Sequence, residues 1–93
     1  MKIINVPSVA GSRALADRLV GSANLDAHES VLIDSRDLDV NTESFVSQLV
    51  KRVADAGLTD VEVIGGGKEW IADMEREASK RGMHVTVRSL ASA

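Results

Sequence analysis

Apolar residues along this chain follow two rhythms, a period of two and a period near 3.6, and the two take turns. Lys2-Ile3-Ile4-Asn5-Val6 is rich in Ile and Val and reads as a first strand. Pro7 stops it, because proline has no amide to give to a ladder. Ser12 is a good helix N-cap. After it Leu15, Ala16, Leu19, Val20 and Ala23 recur at helical spacing, with Arg13, Asp17 and Arg18 on the outside. Gly21 and Asn24 mark the end of that helix, and residues 24–29 are a polar loop. Val31-Leu32-Ile33 is apolar without alternation, which predicts a strand in the interior of a sheet or covered on both faces.

The cleanest stripe follows. Phe45, Val46, Leu49, Val50, Val53 and Ala54 lie on one face of a second helix, capped by Asn41 or Thr42 and ended by Gly57. Glu43 in its first turn and Lys51 and Arg52 in its later turns suit the helix dipole. Residues 60–65 predict a third strand, with Val61 and Val63 alternating against Glu62 and Ile64. Gly65-Gly66-Gly67 breaks it as a flexible turn. A third helix is expected from about Lys68 to Arg81, with Trp70, Ile71, Met74 and Ala78 inward and Glu69, Asp73, Glu77 and Lys80 outward. After Gly82, residues 83–88 alternate Val85 and Val87 against His84, Thr86 and Arg88, a strand with one wet face. Residues 89–93 are small and polar and are expected to form a loose tail.

The order β-α-β-α-β-α-β predicts a single α/β domain over residues 1–93 with a mostly parallel four-stranded sheet, since parallel neighbours need crossovers. Three helices cannot cover both faces of four strands, so one face should stay partly open. With 93 residues there is room for one core. Aromatic content of 2% means that the core is aliphatic apart from Phe45 and Trp70. The absence of cysteine excludes disulfides, thiolate metal sites and a cysteine nucleophile. A net charge of −3, with no basic cluster denser than Lys80-Arg81, argues against nucleic-acid binding. The first residues are interrupted too soon for a signal peptide, and no apolar run reaches the ~18 residues of a membrane span. A cytoplasmic location is therefore expected.

Candidate chemistry is sparse. Gly66, Gly67 and Lys68 at a strand-to-helix turn could offer amides and a cation to an anion. The phosphate-loop pattern fails, however, with Glu62 and Glu69 at the positions that would need Gly and Ser or Thr. Asp34, Asp37 and Asp39 follow a strand end, where open α/β sheets bind ligands. No lysine from a later strand end completes an acidic phosphoacceptor pocket; Gly66 and Ser89 stand near those places. His28 and His84 lack neighbours at metal-ligand spacing. No catalytic residue, metal or cofactor is expected.

Val31-Leu32-Ile33-Asp34, then Leu38, then Phe45 and Leu49 resemble the pattern of STAS domains, the fold of bacterial anti-sigma-factor antagonists. Ser12-Arg13 with Ala16 and Leu19 upstream is more similar to a STAS-like family of uncharacterised function, and the likeness spans roughly residues 9–87. The resemblance implies a non-enzymatic, regulatory module that offers its second helix and the preceding turn to a protein partner. Here that surface is Asp37, Asp39, Asn41, Thr42, Glu43 and Ser47. In antagonist STAS domains a serine at this helix start is phosphorylated, following Asp and Ser and preceding Gly. In this chain the register reads Thr42, Glu43, Ser44, Phe45, so Ser44 alone matches. Three other readings stand beside this one: a host-directed inhibitor from a phage or mobile element, a small-molecule or phosphate-binding domain using the Gly65–Lys68 turn, and a homodimer formed through the last strand or the uncovered sheet face.

Overall fold

Val31, Leu32 and Ile33 form the interior strand that their unbroken apolar run predicts. The computed structural model of the protein describes residues 1–88; the tail expected from Ser89 onward lies outside the described residues. In chain order the elements are β1 (Lys2–Asn5), β2 (Val9–Ala10), α1 (Arg13–Ala23), β3 (Val31–Asp34), β4 (Val40–Asn41), α2 (Glu43–Asp55), β5 (Asp60–Ile64), α3 (Gly67–Ser79) and β6 (His84–Arg88). The main sheet has the order β1-β3-β5-β6, and every pairing in it is parallel.

Each strand in that order is joined to its neighbour by one helix. Crossovers of one hand then place successive helices on the same side of the sheet. The packing agrees, because α1 lies against α2 and α2 against α3. Ile4, Val31, Ile33, Val61 and Val63 point into this layer and join one core with Phe45, Leu49, Val53, Trp70 and Met74. The alternate residues face the other way. Ile3, Leu32, Glu62 and Thr86 form one cross-sheet row and Asn5, Asp34, Ile64 and Arg88 the next. Among the described residues no helix covers these rows. Leu32 is buried there without joining the core cluster, and Ile3 is exposed.

The helices begin and end where local chemistry directs. Ser12 and Thr42 are the N-caps of α1 and α2, each accepting an amide hydrogen bond from the residue three further on. Asn24 closes α1 in the left-handed conformation. The predicted inward face of α2 is buried, with Ala54 half-buried.

Three expectations need correction. Glu77, placed on the outer face of α3, is buried: it shares the side of the helix that carries Trp70, Met74 and Ala78, and Lys80 and Arg81 meet its charge there. Two glycines of the Gly65–Gly67 turn do more than break the strand: Gly65 packs closely on Arg36 and Gly66 on Trp70, with no room for a Cβ at either. Finally, the inner face of β6 is only half covered: Val85 packs against the core, but Val87 is 49% exposed, since no element among the described residues lies beyond α3 to cover it.

Candidate functional site

Two short segments read from sequence as featureless turn the carboxyl end of the sheet into a defined surface. After β1 and Pro7, β2 pairs in parallel with β4, bringing Val9 opposite Val40 and Ala10 opposite Asn41. The Ser8 carbonyl accepts from the amides of Asp39 and Val40 at 2.8 and 2.9 Å, and the Ala10 carbonyl accepts from Thr42 at 3.1 Å. Ala10 is fully buried and anchors the pair, whereas Val9 and Val40 are exposed side by side. The same pair leads directly into both N-caps, so the amino ends of α1 and α2 emerge next to it.

The base of the turn after β3 is tied to β5. The Ser35 amide donates to the Ile64 carbonyl at 2.9 Å, and its fully buried hydroxyl donates to the carbonyls of Ile64 and Gly65 at 2.8 and 3.1 Å. Arg36 folds back on Asp34 with two side-chain hydrogen bonds, at 3.0 and 2.7 Å. These bonds to Arg36 hold the Asp34 carboxyl below the usual carboxylate range, against a smaller opposing effect of burial. Asp34 is thereby engaged by a cation of its own chain. Among the described residues no group of three or more His, Asp or Glu comes together as a metal-ligand set.

Asp37, Asp39, Thr42 and Glu43 are exposed around the β2–β4 pair, Asn41 is half-buried within it, and Ser44 is exposed in the first turn of α2. Ser47 is set apart from this group. It is half-buried, on the part of α2 that lies near Glu77 of α3. The sequence expectation missed Val9, Val40, Ser35 and Arg36. A two-residue strand leaves no periodicity to detect; only Asp34 with Arg36 two positions on was visible as a charge pair.

Gly66, Gly67 and Lys68 lie at the start of α3. Gly65, Gly66 and Gly67 all have positive φ. A Cβ on Gly65 would come within 2.7 Å of the Arg36 Cα, and one on Gly66 within 2.8 Å of the Trp70 Cγ. These glycines therefore serve close packing of the turn on its neighbours. Trp70 is buried beneath it, with no acceptor for its indole N–H among the described residues. Lys68 and Glu69 are both exposed, so the anion-binding reading has one cation opposed by one carboxylate. His28 and His84 are exposed and distant in the chain from this surface. No helix is long and apolar enough to cross a membrane among the described residues.

The chain was compared with protein-family models, with curated proteins and with solved structures. It matches none of them.

Proposed function

We propose that this chain is a cytoplasmic, non-enzymatic protein–protein interaction module of STAS-like type with a regulatory role. The observation that carries this reading is the β2–β4 pair. It fixes two exposed valines side by side, rimmed by Asp39, Asn41 and Glu43, on a base tied to the main sheet. An apolar spot with a polar rim on a rigid scaffold is the form protein contacts take. The resemblance of the strand, turn and second helix to STAS domains supports the same reading. Ser44, exposed beside this spot, is where a phosphate would switch the contact, with Glu43 supplying part of that charge already. A phage-borne inhibitor differs from this reading only in whose protein is bound. The glycine turn gains no support as a phosphate site, because Glu69 stands beside Lys68.

The test is affinity capture from the native cell with mass spectrometry. It is run in parallel with wild type, a Val40→Asp variant and a triple alanine variant at Asp39, Asn41 and Glu43. A specific partner should be lost in both variants while their thermal unfolding stays close to wild type. Retention of the partner by both variants overturns the proposed surface.

A further inference from the structure

We infer that two copies of this chain join through antiparallel pairing of their β6 strands, making one continuous sheet across a two-fold axis at Thr86. The inference concerns the opposite edge of the sheet from the β2–β4 surface and does not depend on the function proposed for it.

The hydrogen-bonding direction of β6 comes first. The His84 amide donates to the Thr59 carbonyl at 2.8 Å, so His84 faces β5. Backbone groups alternate sides along a strand, so Thr86 and Arg88 also bond inward, in keeping with their register against Glu62 and Ile64. The amides and carbonyls of Val85 and Val87 therefore point out from an edge that pairs with no other strand among the described residues. In an antiparallel pair centred on Thr86, Val85 of one copy stands opposite Val87 of the other. These are the residues whose outward groups bond, so the four pairs of donors and acceptors match without a slip. The two edges of the sheet also differ. β1 carries Lys2 and is cut short before Pro7, devices that discourage edge pairing, whereas β6 has neither lysine, proline nor bulge and its one cation, Arg88, is held by Glu62 on β5.

The second match lies on α3. A groove of about 460 Å³ runs between α3 and β6, lined by Lys68, Ile71, Ala72, Glu75 and Val87. Lys68, Ile71, Ala72 and Glu75 are spaced i, i+3, i+4 and i+7 and so form one stripe of the helix. Neither Lys68 nor Glu75 is in an ion pair among the described residues. The two-fold axis runs perpendicular to the sheet, so both helix layers lie on the same side and α3 meets its copy antiparallel. Strands are spaced about 4.8 Å apart, and a helix lying over the β5–β6 gap then sits roughly 10 Å from its copy, the usual helix-packing distance. If the dyad passes between Ile71 and Ala72, each Ile71 faces the other copy's Ala72 and each Lys68 faces the other copy's Glu75.

The two centres coincide along the strand direction. Gly67 and Arg88 stand at the same end of the groove. From Gly67 to the point between Ile71 and Ala72 is about 7 Å along a helix, and from Arg88 to Thr86 is about 7 Å along a strand. One axis therefore satisfies the backbone of β6, the apolar pair on α3 and the two opposite charges. On the open face Arg88 would lie beside His84 of the other copy, but its charge is already engaged by Glu62.

The test uses the full chain in sedimentation equilibrium. Wild type should run at twice its 9.9 kDa mass and dissociate on dilution. Val87→Pro removes an outward amide without touching the ladder to β5, and should give a monomer with an unchanged circular dichroism spectrum. Lys68→Glu and Glu75→Lys should each weaken the dimer roughly tenfold, as expected for a close charge pair, and the double exchange should restore it. The chain has no cysteine, so Thr86→Cys should oxidise to a disulfide-linked dimer while His84→Cys does not. A wild-type monomer at the highest soluble concentration overturns the inference. So does a dimer that survives Val87→Pro, or that ignores the charge exchange and leaves Thr86→Cys unlinked.

Discussion

Gly66 and Gly67 separate two reasons for which a glycine is needed. Both have positive φ, 92° and 86°. A side chain at Gly66 would strike the buried Trp70 ring, whereas one at Gly67 would meet nothing within 4 Å. Gly67→Ala should therefore cost only the left-handed backbone penalty, about 1–2 kcal/mol. Gly66→Ala should cost more, by about 1–3 kcal/mol, because the indole must also shift in a packed core. Urea unfolding of the two variants measures the difference, and equal costs would show that Trp70 does not press on the turn. From the sequence, three glycines in a row marked a break between strand and helix. Which of them carries the packing was not legible, since it depends on Arg36 arriving from the turn after β3 and on how the Trp70 ring, one helical turn on, folds back over Gly66.

Helix α3 shows the same division at the scale of an element. Its apolar stripe gave Trp70, Met74 and Ala78 as inward residues, and they are buried. Glu77 shares that side of the helix but was read as outward, because a carboxylate is normally solvated. It is buried because its charge is met. Lys80 donates to it at 3.0 Å and Arg81 approaches at 3.4 Å. The Lys80 hydrogen bond is the largest influence holding the Glu77 carboxyl below its ordinary value, with burial opposing it. A folded-state value below the unfolded one means that the native state binds this proton less readily. The stabilisation is then complete above the ordinary carboxylate range and is lost as the pH falls below it, through the lowered folded-state value. Because Lys80 is largely exposed, the effect is modest. Glu77→Gln should lower stability by about 0.5–1.5 kcal/mol at neutral pH. The gap from wild type should narrow on acidification, as followed by thermal unfolding at several pH values. The short strands β2 and β4 were illegible for a different reason. Two residues are too few to show a period, and their partner was another loop.

The whole molecule is a parallel sheet with helices on one side. The alternation of strands and helices made the layout readable, because the connections force the strands to be parallel. That all three helices share a face follows from the sheet order, which a single sequence does not state. Parallel sheets are usually covered on both faces, so the open rows of this one require an account. They are mixed rather than apolar: Leu32 and Ile3 lie beside Glu62 and Thr86, and Ile64 beside Asp34 and Arg88. The ion pairs Asp34–Arg36 and Glu62–Arg88 give this face a polar cover. A comparison of Leu32 with Ile33 tests whether the face is open in solution. The two are adjacent and both buried, at 7% and 1% exposure, but Ile33 points into the core and Leu32 away from it. Ile33→Ala leaves a closed cavity and should cost about 3–4 kcal/mol. Leu32→Ala exposes its gap to solvent, and the loss should be limited to the removed apolar contact, about 1–2 kcal/mol. The β6 pairing leaves this face free, so Leu32→Ala should also leave the sedimenting mass unchanged. Equal costs for the two variants, or a change of mass with Leu32→Ala, would mean that the face is covered in an assembly.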